Sequence, residues 1–553
     1  FNEPNKTYTL GLNVNLNESY KVWINFVTRD CMPGEYNDKT KKECQLCTAG
    51  FFSLSTTQAC IQCNSTAMYC EGGDILNVFE GNWRPINTAQ IFPCLKDSVE
   101  RCKGGLWPEK QCNLGYTGAL CQACDRENDY VLGSGNRCVP CSGNTLMIIL
   151  KVLVSILLAY CYELYTIYTV IQSNKNFVYL YMNKKENCEK SLQFKQKYYL
   201  GIQLRQFTSY TQFIYIIFIY LQYSYIYLLS TINKLQNYGL ELISNPSNQQ
   251  SSSLECLILR LSENPSDVTY NKILFGLALP LAKLLLTVVI LFLLSKKGIV
   301  KNLTNDIWVA IFTLIVNEQP GILMNLARFY SCNLKEVDGT GYAILDSSIK
   351  CSDPHYISFS TRVILPGLLI WGVLIPFWIF AMLFNNRKHF NEADVRMKYG
   401  AIINSYKEDV YYWGLITMSF KLGLLLAFSV IPNSALAMNV AVILMLAYYY
   451  IFTYLKPYAT KEFTATEKYS ILTYLATVFL LQVLGTNPYQ GVTIACAVII
   501  LGLNLGLILY MFGRIKAIWS QSRGKNLVTK AKQEYALSMT LQSNKDEISN
   551  SFL

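Results

Sequence analysis

Histidine is nearly absent from this sequence, and charged side chains are scarce. The 553 residues include two histidines, His355 and His389, and Asp, Glu, Lys and Arg together make up 15% of the chain. Soluble globular proteins have about 25% charged residues. A phosphate-binding loop of the Walker type and a GxGxxG turn between a strand and a helix are missing as well.

These shortages bear on catalysis. In the topology argued below, His355 and His389 lie on opposite sides of a membrane, so a metal site with two histidine ligands cannot be built from them, and no sequence pattern marks either as the base of a Ser/His/Asp triad. We therefore expect no enzymatic activity, no catalytic residues, no metal site and no cofactor.

Long apolar runs are plentiful, because hydrophobic residues make up 52% of the chain. They are concentrated after position 145 in runs of about 20 residues, the length that a helix needs to cross a bilayer. The sequence thus predicts an α-helical polytopic membrane protein with a transmembrane domain over 145–513. Nine spans are expected near 145–171, 207–232, 273–295, 307–330, 359–384, 411–431, 434–455, 470–486 and 491–513.

The distribution of basic residues predicts the orientation. With the N-terminus outside, the inner loops and the tail 514–553 contain 25 Lys and Arg residues, and the outer loops contain 5. Cytoplasmic loops are enriched in Lys and Arg, so we expect the N-terminus outside and the C-terminus inside, in a plasma or ciliary membrane. The formal net charge of +11 is then explained by basic residues that contact lipids at the inner leaflet. Nucleic acid is not an expected partner.

Cysteine is concentrated near the N-terminus. After an N-terminal segment 1–30, the region 31–143 contains 13 of the 19 cysteines, in a repeat of Cys, a Gly turn, an aromatic residue and a CxxC pair. This density predicts a small extracellular domain of loops and short strands held together by disulfides. The alternative is a zinc site, since two CxxC pairs about a dozen residues apart also suit zinc.

If neighbouring cysteines pair in order, six disulfides follow. They are Cys31 with Cys44, Cys47 with Cys60, Cys63 with Cys70, Cys112 with Cys121, Cys124 with Cys138, and Cys332 with Cys351 in an outer loop. Three sequons, at Asn5, Asn17 and Asn64, predict N-glycosylation of the same face. A fourth sequon, at Asn302, falls on the cytoplasmic side and should remain unmodified.

Several ordered motifs resemble a known type of membrane protein. They are Cys31-Met-Pro-Gly-Glu-Tyr36, Cys47-Thr-Ala-Gly-Phe-Phe52, Gly115-Tyr-Thr-Gly-Ala-Leu-Cys121, Leu365-Pro-Gly, Ile370-Trp-Gly and Leu455-Lys-Pro-Tyr458 with Glu467 downstream. The first two resemble ephrin-receptor-like cysteine-rich modules, and the third resembles an EGF-type turn. The whole is similar to ciliate and oomycete families in which such modules precede a TRP-like transmembrane region. The resemblance implies a surface protein with no common activity attached to it.

Polar side chains inside the predicted spans are candidates for function, because placing a charge in a bilayer is costly. They are Glu163, Lys283, Asn317, Glu318, Gln319 and Lys421. One interpretation is structural, with Glu163 or Glu318 paired to Lys283 or Lys421 between helices. The other is an ion or solute path at the kink expected beside Pro320.

Two functions follow from this organisation. In the first, the protein is a non-enzymatic surface protein whose cysteine-rich head binds an extracellular partner or a neighbouring membrane subunit. In the second, it is a TRP-like cation channel or transporter whose path is lined by the polar residues of the middle spans. The last outer loop is too short for a pore helix and filter of the usual kind, which favours the first.

Overall fold

A computed structural model gives the fold of the chain. It describes residue 4 and residues 6–520, except for 16–18, 39, 42, 56–58, 65, 87, 95–97, 134–136, 183–187, 225–251, 338–339, 432–433, 487–490, 493 and 519. The chain divides into two compact units. Unit 1 comprises residues 1–141 and 332–356, and unit 2 comprises residues 142–331 and 357–553.

Unit 1 is a series of short antiparallel hairpins. Their strands are β1 Thr7–Asn15, β2 Ser19–Val27, β3 Glu35–Asp38, β4 Glu43–Leu46, β5 Phe51–Phe52, β6 Ile61–Gln62, β7 Met68–Gly72, β8 Ile75–Val78, β9 Asn82–Trp83, β10 Phe92–Pro93, β11 Tyr116–Thr117, β12 Ala123–Cys124, β13 Tyr130–Leu132, β14 Cys138–Pro140, β15 Cys332–Val337 and β16 Thr340–Ala343. Each strand pairs with its neighbour in the chain. Hairpins this small are marginally stable alone, so other bonds must hold the unit together.

Disulfides supply those bonds. The structure contains Cys31–Cys44, Cys47–Cys60, Cys63–Cys70, Cys94–Cys102, Cys112–Cys121, Cys124–Cys138 and Cys332–Cys351. Six of these are the pairs that the spacing predicts, and Cys94–Cys102 is additional. The cysteines of the CxxC pairs that a zinc site would use are disulfide-bonded. A loop of 13 residues closed by such a bond stabilises the fold by about 3 kcal/mol.

The repeated glycine and aromatic positions form local turns. Gly115 has a φ of 85°, and a Cβ atom there would lie 2.5 Å from the Tyr130 ring, so only glycine fits. Phe52 is buried beside Cys63 and Cys70, where its ring takes the place of a larger core. At the start of the repeat, Arg29 makes a bidentate ion pair with Glu35, which lowers the pKa of Glu35 to about 2.

The segment 332–356 belongs to unit 1 and not to the helical body that surrounds it in sequence. Its hairpin is closed by Cys332–Cys351, and Tyr342 packs against the cluster of Trp83, Cys102 and Cys121. The domain boundary that the sequence predicts, with one head over 31–143, therefore omits a segment that folds onto the head.

Unit 2 is almost entirely helical. Its main helices are α1 Thr145–Met182, α2 Cys188–Ser224, α3 Ser252–Leu261, α4 Val268–Lys296, α5 Leu303–Tyr330, α6 Pro354–His389, α7 Ala393–Ile403, α8 Trp413–Val430, α9 Ser434–Leu455, α10 Lys461–Thr486 and α11 Ile494–Ile518. In the described part of the chain, seven helices are long and apolar enough to cross a membrane: α1, α4, α5, α6, α8, α9 and α11.

The other two predicted spans, near 207–232 and 470–486, are not among these seven. The first falls on α2, with its end after residue 224 outside the described residues, and the second falls on α10. Both helices are central to the core of unit 2, where Tyr210 and Phe213 of α2 pack against Tyr474 of α10. Helices enclosed by protein tolerate polar residues that a lipid-facing helix cannot.

Two π-helical turns interrupt α6. They span Ser360–Ile364 and Ile370–Leu374, and each is followed by a proline, Pro366 and Pro376. Proline has no N–H to offer and its ring clashes with the preceding turn, so the helix widens locally before each one. The helix thereby continues through both prolines, as the single predicted span 359–384 requires.

Candidate functional site

Three charged side chains from three helices meet inside unit 2. The Lys283 ammonium on α4 donates to Glu318 Oε1 on α5 at 2.8 Å and to Glu163 Oε1 on α1 at 3.1 Å. The exposed fractions of the three side chains are 4% for Lys283 and 0% for each glutamate. Burying charges this deeply is costly unless they are paired. The pairing therefore ties α1, α4 and α5 together.

Prolines lie next to two members of this triad. Lys283 follows Pro280 in α4, and Glu318 precedes Pro320 in α5. Because Pro320 has no N–H, the carbonyl of Val316 one turn earlier has no helical donor. Val316 and Asn317 line a cavity beside the triad, so the polar segment before Pro320 faces open space on one side and the ion cluster on the other.

This cavity has a volume of about 90 Å³. It is lined by residues of α1, α2, α5, α6, α7, α8 and α10. The polar groups on its wall that matter most are Arg205, Gln206, Gln212, Asn317, Lys421 and Glu467. Sites for small ligands are concave and combine an apolar wall with a few placed polar groups, and this cavity has that composition.

Lys421 lines the cavity. Its ammonium donates to Gln212 Oε1 at 2.7 Å and lies 5.2 Å from the centre of the Phe213 ring. The amide nitrogen of Gln212 donates in turn to the Asn317 carbonyl at 3.0 Å. This chain links α8, α2 and α5 through one buried amide.

Glu467 also lines the cavity. Its carboxylate accepts hydrogen bonds from the hydroxyls of Tyr448 and Tyr458, at 3.1 and 3.2 Å, and from the side-chain amide of Gln206 at 3.4 Å. Lys421 and Glu467 both line the cavity, yet the two groups are not joined in an ion pair of 4 Å or less. The cavity wall thus carries both an ammonium and a carboxylate.

The structure divides the six polar residues predicted in the spans into three groups. Glu163, Lys283 and Glu318 form the triad, and Asn317 and Lys421 line the cavity. Gln319 joins neither, because its amide donates to the Trp371 carbonyl at 2.8 Å and fastens α5 to α6. Of the pairings that the sequence left open, with Lys283 or with Lys421, the structure contains those of Glu163 and Glu318 with Lys283.

Glu467, Gln206 and Gln212 were not predicted from the sequence as site residues. Glu467 stands in the ordered motif after Tyr458, and that motif is the one signal that pointed to it. The two glutamines lie on α2, where they bond to Phe463 and Asn317 of other helices. A buried glutamine gives no sequence pattern that separates it from an exposed one.

Unit 1 offers a different candidate surface. Its exposed apolar side chains include Trp107, at 70% of its area, and Leu114, at 84%. They flank the short helix Pro108–Lys110. Exposed apolar patches are candidate interaction sites, and Trp is enriched among the residues that dominate binding energy.

One of the predicted glycosylation sites is visible. Asn64 is exposed, and its side-chain oxygen accepts hydrogen bonds from the Thr66 backbone at 3.2 Å and the Thr66 hydroxyl at 2.7 Å. The sequon thus forms an accessible turn. Asn5 and Asn17 lie outside the described residues.

The geometry defines a class of protein: a disulfide-rich N-terminal domain of short strands followed by a mostly helical body with seven candidate membrane spans. Comparison with known proteins adds one partial similarity. The chain is 24% identical over 156 residues to cysteine repeat modular protein A of Toxoplasma gondii, a match that covers 26% of this chain and 5% of that protein. No family model matches the chain, and no solved structure matches it. The ephrin-receptor-like, EGF-like and TRP-like assignments stay predictions.

Proposed function

We propose that this chain is a non-enzymatic, multi-pass protein of the cell surface or ciliary membrane whose disulfide-rich head binds another extracellular protein. The observation that carries the proposal is a head cross-linked by disulfides that exposes Trp107 and Leu114 around one short helix. Rigid scaffolds lose little conformational entropy on binding, and aromatic anchors supply most of the binding energy.

The orientation is part of the same proposal. Disulfides form in oxidising compartments, and the basic residues of the loops favour the opposite side for the cytoplasm. With the head outside, membrane lipids contact the helical body, and the partner is an extracellular protein or the exposed part of a neighbouring membrane subunit.

Site-specific photocrosslinking on intact cells tests the binding role. A photoreactive phenylalanine analogue at Trp107 or Leu114 should form a discrete covalent adduct with a second protein after irradiation. The same analogue at Lys110, an exposed polar residue of the same short helix, is the matched control. If Lys110 gives the same adducts as Trp107 and Leu114, or if all three positions give none, the proposal is wrong.

A second candidate function is the movement of a small solute or ion through the helical body. The observation that favours it is a cavity lined by both Lys421 and Glu467, each of which is hydrogen-bonded to other side chains. Uptake by liposomes containing the full chain, compared between the wild type and Glu467→Gln, separates the two candidates. Flux through the wild type that is lost in Glu467→Gln supports transport. Flux through the wild type that equals the flux of empty liposomes excludes it.

A further inference from the structure

The triad of Glu163, Lys283 and Glu318 contains more acid than base. Each glutamate directs one oxygen, Oε1, at the single ammonium. The hydroxyls of Tyr160 and Tyr162, on the same helix as Glu163, also interact electrostatically with Glu163 and carry no positive charge. With all three members ionised, the cluster would retain one uncompensated negative charge where all three side chains are at least 96% buried.

The second carboxyl oxygen of each glutamate also indicates an excess of acid over base. Glu163 Oε2 and Glu318 Oε2 are both buried and have no hydrogen-bond partner. The two carboxyl groups also lie within hydrogen-bonding reach of each other. Ionised carboxylates only accept hydrogen bonds, so two of them cannot bond together unless one holds a proton.

We propose that Glu163 and Glu318 share one proton, so that the triad is a neutral proton-binding site within the helical body. One O–H donor placed between the two carboxyl groups satisfies the orphaned oxygens and removes the excess charge at the same time. The arrangement obeys the general rule that two carboxyl groups in contact do not both ionise.

The position of the site gives the proton a mechanical consequence. Glu163 belongs to α1, Lys283 to α4 and Glu318 to α5. Release of the shared proton would therefore leave a net negative charge where these three helices meet. The cavity is adjacent, because the Thr166 hydroxyl donates to the Glu163 carbonyl and also lies 3.5 Å from the Asn317 amide. The proton is therefore held where its loss would disturb the cavity wall.

Infrared spectroscopy of the full chain in lipid nanodiscs tests the proposal directly. A protonated carboxylic acid has a carbonyl stretching band that shifts in D₂O, and an ionised carboxylate has no such band. We expect Glu163→Gln and Glu318→Gln each to remove the same band. Glu255→Gln is the matched control, because Glu255 is also buried but is paired with its own lysine, Lys272, at 2.5 Å.

A band unchanged in both variants, or removed equally by the Glu255 control, would overturn the proposal.

Stability provides the second readout. At neutral pH the folded triad holds a proton, whereas the same glutamate in the unfolded chain is ionised. The melting temperature of the wild type should therefore fall as the pH rises, and Glu163→Gln should remove that slope. Stabilisation by Na⁺ at constant ionic strength, lost in Glu163→Gln, would show that a metal cation and not a proton fills the site.

Discussion

The guanidinium of Arg126 lies 2.7 Å from the Asp346 carboxylate, although the two residues are 220 positions apart in the sequence. Their side chains are 14% and 6% exposed. Asp346 also accepts hydrogen bonds from the backbone and hydroxyl of Ser348. The pair therefore anchors the loop between α5 and α6 to the cysteine-rich head.

Arg126→Ala should loosen this loop. Removing one partner of a largely buried ion pair leaves the other charge uncompensated, at a cost of up to about 3 kcal/mol. We expect faster proteolytic cleavage within residues 332–356, measured on the intact protein. Arg137→Ala is the control, because the Arg137–Glu100 pair is 57% exposed on both sides and exposed pairs contribute little. Equal cleavage rates for the two variants would contradict the anchoring role.

Gly201 marks the closest approach of α1 and α2. A Cβ atom at this position would lie 2.5 Å from Ser173 Cβ. Gly201→Ala should therefore lower the melting temperature in detergent, with an overpacking cost of about 1–3 kcal/mol.

The control for this variant is Gly423→Ala, whose Cβ would lie 3.5 Å from Leu444, an ordinary contact distance. The double variant Gly201→Ala with Ser173→Gly removes the opposing Cβ and should recover part of the loss. A double variant less stable than Gly201→Ala alone would mean that this clash is not the cause.

Glycan attachment reports the orientation of the chain. With the head outside, Asn64→Gln should increase electrophoretic mobility by the size of one glycan, because Asn64 is exposed in an open turn. Asn302→Gln should leave mobility unchanged, since Asn302 begins a helix on the proposed cytoplasmic side. A glycan on Asn302 would reverse the proposed topology.

Lys421 provides a test of whether the cavity serves structure or transport. Lys421→Met keeps the length of the side chain and removes a buried charge, which is often neutral for stability, but it leaves Gln212 Oε1 without its donor at a cost of about 1–3 kcal/mol. We expect a folded protein with a modestly lower melting temperature. Lys421→Gln, which retains a donor, should be closer to the wild type; collapse of both variants would assign Lys421 to the framework of the bundle.

The disulfides were predictable because each joins cysteines that are close in the sequence. Within a unit such as Cys31 to Cys44, the intervening hairpin brings the partners together, so spacing is enough. The same locality explains why the apolar helices α4 and α9 were found, since the bilayer acts on each span separately. Cys94–Cys102 follows the same rule of neighbours and was missed because it lies outside the repeated motif.

The composition and order of residues in this chain determined a disulfide-linked head and a set of apolar helices, because those features depend on short segments. Only the tertiary structure decided that Lys283 contacts both Glu163 and Glu318, that Glu467 and Lys421 line the same cavity and that the 332–356 loop folds onto the head. These contacts join helices far apart in sequence. Their partners depend on how the helices rotate and cross as they pack, which no local pattern encodes.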